Sequence, residues 1–137
     1  MSEISDPLRA AVVERADSMC EYCRLPTQGQ VAWFPVDHII PRSKGGKTEL
    51  KNLALSCPRC NGHKWTHMTD TDPVTGDEIP LFNPRIQAWE DHFTWSPDTA
   101  HTIEGTTPCG RATIERLKMN HPQMVEIRNF LNDLTQD

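Results

Sequence analysis

Four of the five cysteines fall into two C-x-x-C pairs, Cys20/Cys23 and Cys57/Cys60, with 33 residues between the pairs. A tight C-x-x-C turn presents two sulfurs to one point, and two such turns supply the four soft ligands that zinc takes at tetrahedral corners. The long separation is no obstacle, because a hairpin folded between the knuckles can bring them together. Redox-active or merely buried cysteines are the alternatives, and the matching of the two pairs speaks against both. Disulfides belong to exported proteins, whereas Met1 to Pro7 is polar and acidic and lacks the apolar run of an export signal. A site with four protein ligands has no open position, so it is expected to hold the fold and do no chemistry. Cys109 stands alone and reads as a half-buried small residue.

Between and beside the knuckles lie Asp37-His38-Ile39-Ile40-Pro41-Arg42, then Gly45-Gly46, then Asn52-Leu53, then Cys57-Pro58-Arg59-Cys60-Asn61-Gly62-His63-Lys64. In order and spacing this set, about residues 20–65, resembles the HNH endonuclease family with a two-pair cysteine zinc ribbon. The resemblance implies an α+β fold: a ββα-metal core on a four-cysteine zinc ribbon, with an N-terminal helix and a C-terminal helical extension. It implies His38 as general base, a task that suits an imidazole titrating near neutrality. Asp37 matches the family's metal-binding carboxylate and Asn61 its second ligand at the start of a helix. Asn52 matches the central Asn, whose implied role is to pin the loop that holds the catalytic histidine. Two hard oxygen ligands plus waters favour Mg²⁺ or Mn²⁺ at the catalytic position, beside the structural Zn²⁺. Some family members carry another His where this chain has Trp65, which cannot ligate a metal. His63 is a nearby substitute, but it lies two positions from Asn61 and on another helical face.

The net charge of −5 argues at first against a nucleic-acid partner. Its distribution argues the other way. Residues 1–70 hold nine Lys and Arg against eight Asp and Glu, and residues 71–137 hold five against eleven. From Arg42 to Lys64, six cations (Arg42, Lys44, Lys47, Lys51, Arg59 and Lys64) face only Glu49. Such a patch can meet phosphates on an acidic protein, and Arg42, Lys44, Lys47 and Lys64 are the candidate DNA contacts.

The elements that must position these groups can be read locally. Residues 7–19 have helical spacing, with Asp6 as a cap and Pro7 in the first turn. Val31 to Ile40 reads as a strand, Asn52 to Ser56 as its partner, and Cys57 to Trp65 as a helix. Pro73, Gly76, Pro80 and Pro84 mark a boundary between a nuclease domain, 1–70, and an extension, 71–137. In the extension, Pro84 to Trp95 is expected as a short helix with Trp89, His92 and Phe93 on one face. Two more helices are expected, Pro108 to Met119 and Pro122 to Leu134, the last with Met124, Ile127, Leu131 and Leu134 on one stripe.

The motifs of this second half, Leu81 to Arg85, Trp89 to Trp95, Gly110 to Thr113 and Asn120 to Pro122, resemble an extension seen in small stand-alone HNH proteins, to which no defined activity attaches. A packing role for Trp89, Phe93 and Trp95 is favoured over target selection, because a DNA reader is usually basic. With no stretch long enough to cross a membrane, a cytoplasmic enzyme acting on DNA is expected. RNA is the other polymer that the same phosphate chemistry would serve. A non-catalytic zinc-ribbon adaptor is the rival, against which the conjunction of Asp37, His38, Asn52 and Asn61 speaks.

Overall fold

The computed structural model describes residues 4–28, 30, 33–98 and 101–135, and side chains through Asp133. Among them are four α-helices and three two-stranded antiparallel ribbons. Helix α1 spans Asp6–Arg15, capped by Ser5, whose hydroxyl accepts from Leu8 N at 3.3 Å. It stops well short of the expected end at residue 19, because Asp17 and Ser18 adopt left-handed φ of 55° and 57° and turn the chain into the first cysteine knuckle. Arg15 ties this helix down by donating to the carbonyls of Leu50 and Leu53.

Strand β1, Val36–His38, pairs with β2, Leu53–Leu55, in the register Asp37↔Ala54 and His38↔Leu53. Of the expected strand 31–40, residues 31 and 32 lie outside the described ones, and the ladder is confined to the segment between Pro35 and Pro41. A proline has no N–H to donate to a ladder. Helix α2, Pro58–Lys64, follows directly and completes a strand–strand–helix unit. Its N-cap is Cys57, whose sulfur accepts from Cys60 N.

Residues 68–84, read from sequence as a boundary, form a hairpin of β3, Thr69–Thr71, and β4, Glu78–Pro80. The breakers are its turn: Gly76 has φ of 79°, its N–H reaches Asp72 O at 2.8 Å, and the Asp72 carboxylate accepts from Val74 N and Thr75 Oγ1. The helix expected over 84–95 is replaced by a single 3₁₀ turn, Trp89–Asp91, and strand β5, Phe93–Trp95, paired with β6, Ile103–Gly105. Aromatic and β-branched residues take the strand once a partner is present, and that partner lies ten residues downstream. Helices α3, Pro108–Leu117, and α4, Pro122–Thr135, match their expected places. Met124 is buried and Ile127 and Leu131 half-buried, while the side chain of Leu134 lies outside the described ones.

The buried cluster includes Val12, Leu53 and Leu55 from the first half and Phe82, Trp89, Phe93 and Leu117 from the second. Among the described residues no helix is long and apolar enough to cross a membrane.

Polar fasteners hold the second half together. Asp72 takes Arg111 in two bonds of 2.9 Å, which with its hairpin partners holds its carboxyl well below the usual range. Asn120 caps Ile103 on both sides, accepting from its N–H and donating to its carbonyl. Thr113 accepts from Phe82 N at 2.9 Å. Gly110 lets α3 lie on the β5–β6 ribbon, since a Cβ there would stand 2.0 Å from the His92 carbonyl oxygen and 3.1 Å from Gly105 Cα. Gly110→Ala is therefore expected to destabilise the protein by about 1–3 kcal/mol, read as a lower Tm with zinc content unchanged.

Candidate active site

The four paired cysteines converge. All are at most 1% exposed, and their sulfurs lie within 4.8 Å of one another, with Cys23 and Cys57 at 3.7 Å. Sulfurs about 2.3 Å from a central zinc in a tetrahedron stand roughly 3.8 Å apart, so the donor set and its spacing fit that ion. In each knuckle the later cysteine donates its backbone N–H to the earlier sulfur at 3.4 Å. Cys109 is half-buried and outside this group.

The knuckles are built into the neighbouring chemistry. The first contains Tyr22, fully buried, whose hydroxyl donates to Asp37 Oδ2 at 2.7 Å. The second opens α2, which carries Asn61 and Lys64. On β1 the burial alternates, with Asp37 inward and His38 half-exposed. The Lys64 ammonium, 2% exposed, lies 3.1 Å from Asp37 Oδ2 and also donates to the carbonyl of Ile39. Burial raises the Asp37 carboxyl above its ordinary value, opposed by the Lys64 charge and the Tyr22 bond. Burial and the Asp37 charge push the Tyr22 hydroxyl well up, so it stays a donor.

Asn52 is nearly buried and bolts the loop after β1. Its Oδ1 accepts from Ile40 N at 2.9 Å, and its Nδ2 donates to the carbonyls of Ile40 and Lys47. Gly46 makes this loop possible, since a Cβ there would stand 1.7 Å from the Ile40 carbonyl oxygen. The His38 ring meets Thr48 Oγ1 through Nε2 at 2.8 Å, which sets its orientation. Asp37, His38, Arg42, Asn61 and Trp65 line one open concavity of about 350 Å³. Asp37 and Asn61, both of which carry hard oxygens, line this space, and a small divalent cation that keeps several waters takes ligands of that kind. Asp37 Oδ1 accepts from Lys64 Nζ at 3.4 Å.

Two sequence expectations change. Lys64, expected as a phosphate clamp, is an internal cation: its aliphatic stem runs through the core and its charge is spent on Asp37. His63, considered as a further metal ligand, does not line the concavity. Burial and then the charges of Arg59, Lys118, Arg116 and His121 lower its pKa. Arg42, Lys44 and Lys47 are exposed, and Lys44 also donates to Thr66 O at 2.8 Å. Tyr22, Thr48 and the internal role of Lys64 were missed from sequence. Only Tyr22 carried a signal, as an aromatic enclosed in a ligand knuckle.

In the second half, the Trp89 indole donates to Tyr22 O at 2.8 Å and stacks on Phe93, with Arg24 4.8 Å above it. Arg85 pairs with Glu21, which accepts from Leu55 N. These residues buttress the first knuckle, and Glu21 carries the contact on to β2 of the hairpin at Leu55.

Residues 20–66 match the model of the HNH endonuclease family. The chain is 24% identical over 115 residues to Septu protein PtuB of Bacillus thuringiensis, a match covering 82% of this chain and 41% of that protein. It therefore spans less than half the length of this curated relative. No solved structure matches. The matched stretch, residues 20–66, holds both cysteine knuckles, the β1–β2 hairpin and α2, and it is this part of the chain that is similar to the HNH endonuclease family.

Proposed function

We propose that the protein is a metal-dependent endonuclease that hydrolyses DNA phosphodiester bonds, with His38 as general base and Asp37 and Asn61 holding a divalent ion, Mg²⁺ or Mn²⁺. The observation that carries this reading is the shared concavity of Asp37, His38, Arg42 and Asn61 beside a loop bolted by Asn52. In the reaction a water oxygen bonds to phosphorus while the bond from phosphorus to the 3′ oxygen breaks, leaving 5′-phosphate and 3′-hydroxyl ends. His38 takes the proton from the water, with its ring held by Thr48. The divalent ion, when bound, stabilises charge on the phosphoryl and leaving oxygens. Asp37 is held rigid by Tyr22 and Lys64, and that rigidity serves placement. Exposed Arg42, Lys44 and Lys47 draw in and align the phosphates. The four-cysteine site keeps Zn²⁺ as a structural ion, and the setting is the cytoplasm.

One observation favours a second reading. The buried Lys64 ammonium already neutralises Asp37 from within the fold, as a purely structural pair would in a non-catalytic zinc-ribbon module that binds nucleic acid or a partner protein.

His38→Ala separates the two. Under the nuclease reading it loses about 10²- to 10⁴-fold in nicking of supercoiled DNA with Mg²⁺ or Mn²⁺, while zinc content and DNA binding stay near those of the parent. A His38→Ala protein that cuts like the parent sinks the assigned mechanism, and a parent that cuts no DNA or RNA with either ion leaves the adaptor reading. The purified parent should carry about one tightly held zinc per chain. Cys57→Ser should lose that zinc and melt lower; serine is a good N-cap for α2, so the loss reports the metal and not the cap. Lys47→Glu should weaken binding to all DNA sequences alike and reduce the salt slope by about one, measured by titration at several salt concentrations.

A further inference from the structure

Trp65 is in an unfavourable place for its residue type. It closes α2 with φ of 46°, in the left-handed region that favours glycine, while its N–H still bonds to Asn61 O at 2.9 Å. The residue is 70% exposed, although a tryptophan is the side chain with the most apolar area to gain from burial. Glycine would hold this turn without strain, and any polar residue would face water more readily. The chain instead keeps the largest aromatic there, and strain of this kind collects at binding sites.

Its surroundings say what it faces. Trp65 lines the concavity together with Asp37, His38, Asn61 and Arg42, and its indole meets the His67 ring edge-on, the centroids 6.0 Å apart. The next residue, Thr66, accepts Lys44 Nζ through its carbonyl at 2.8 Å, so the turn that carries Trp65 is tied to the cationic loop. An aromatic face therefore stands beside cations suited to phosphate, at the place where the reacting phosphate must lie. We infer that Trp65 is a stacking platform for one nucleobase next to the scissile phosphate, and that it makes the site select unpaired nucleotides over continuous duplex. Inside a duplex both faces of every base are already covered by neighbours. An indole can stack only on a base that is unpaired, flipped or at an end, and it does so with little regard for sequence, because every base has a π face. The inference rests on the nuclease reading, since it takes the concavity to hold a phosphodiester.

The test uses the full-length zinc-loaded protein without added Mg²⁺ or Mn²⁺, and a labelled strand of about 20 nucleotides, a length that exceeds the usual single-strand site, alone or annealed to its complement. Trp65→Ala should weaken binding of the single strand by about 5- to 150-fold, while Trp65→Phe keeps most of it. Duplex affinity should change by less than about twofold in both. The parent, but not Trp65→Ala, should alter the fluorescence of a 2-aminopurine placed along the strand. Trp65→Gly, relieved of the backbone strain, should melt no lower than Trp65→Ala yet bind the single strand as weakly. Equal losses on strand and duplex would mean that Trp65 serves the fold or a protein contact, and would overturn the inference. Unchanged single-strand binding by Trp65→Ala, in a parent that binds and cuts DNA, would overturn it alone. A parent that binds neither form overturns the nuclease reading with it.

Discussion

Four thiol groups drawn from positions 20, 23, 57 and 60 occupy one dry space, their sulfurs within 4.8 Å of one another. Four thiolates so placed repel strongly where little water screens them, and a tetrahedral cation turns that repulsion into attraction. Zinc suits the sulfur set and the spacing, and its binding energy becomes folding energy. A chain with 36% hydrophobic and 7% aromatic residues has a modest core to draw on, so such a staple carries weight. What it staples is specific. One knuckle encloses Tyr22, which holds Asp37, and the other starts the helix that bears Asn61 and Lys64. The four-cysteine site thus ties β1, through Tyr22 and Asp37, to α2, which starts at the second knuckle.

The Asp37–Lys64 pair illustrates the electrostatics of this arrangement. A buried ion pair is costly to desolvate and gives little net stability, but removal of either partner strands a charge. Here the ammonium also satisfies the carbonyls that follow Asp37, at His38 and Ile39, so it stitches α2 to the end of β1. The pair presents the Asp37 carboxylate as a fixed object rather than a mobile side chain. Tyr22 does the same by donating to Asp37 Oδ2, the oxygen nearest Lys64, and its raised pKa keeps it a donor.

The acidic second half supports the site without entering the concavity. Its conspicuous residues are spent on internal bonds: Arg111 on Asp72, Asn120 on Ile103, Thr113 on Phe82, Trp89 on the Tyr22 carbonyl and Arg85 on Glu21. The overall charge therefore says little about the partner, because the negative excess of residues 71–137 and the exposed cations of the 42–47 loop belong to different parts of the chain.

Local chemistry was enough to read much of this protein from its sequence. The zinc ligands were legible because C-x-x-C geometry is a property of four residues. The hairpin, α2, α3 and α4 were legible because proline starts, capping residues and periodicity act within one or two turns. Asp37, His38, Asn52 and Asn61 could be named through the order of their motifs. The tertiary structure alone decided what depends on distant partners. The 84–95 segment became a strand because β6 offers a ladder, and 68–84 became a hairpin because Asp72 meets Arg111 across the fold. Lys64 reads as a surface cation until Asp37 is seen 3.1 Å away, 27 residues earlier in the chain. A charge is exposed or buried according to what packs over it, and Trp65 is exposed for the converse reason, that little among the described residues covers it.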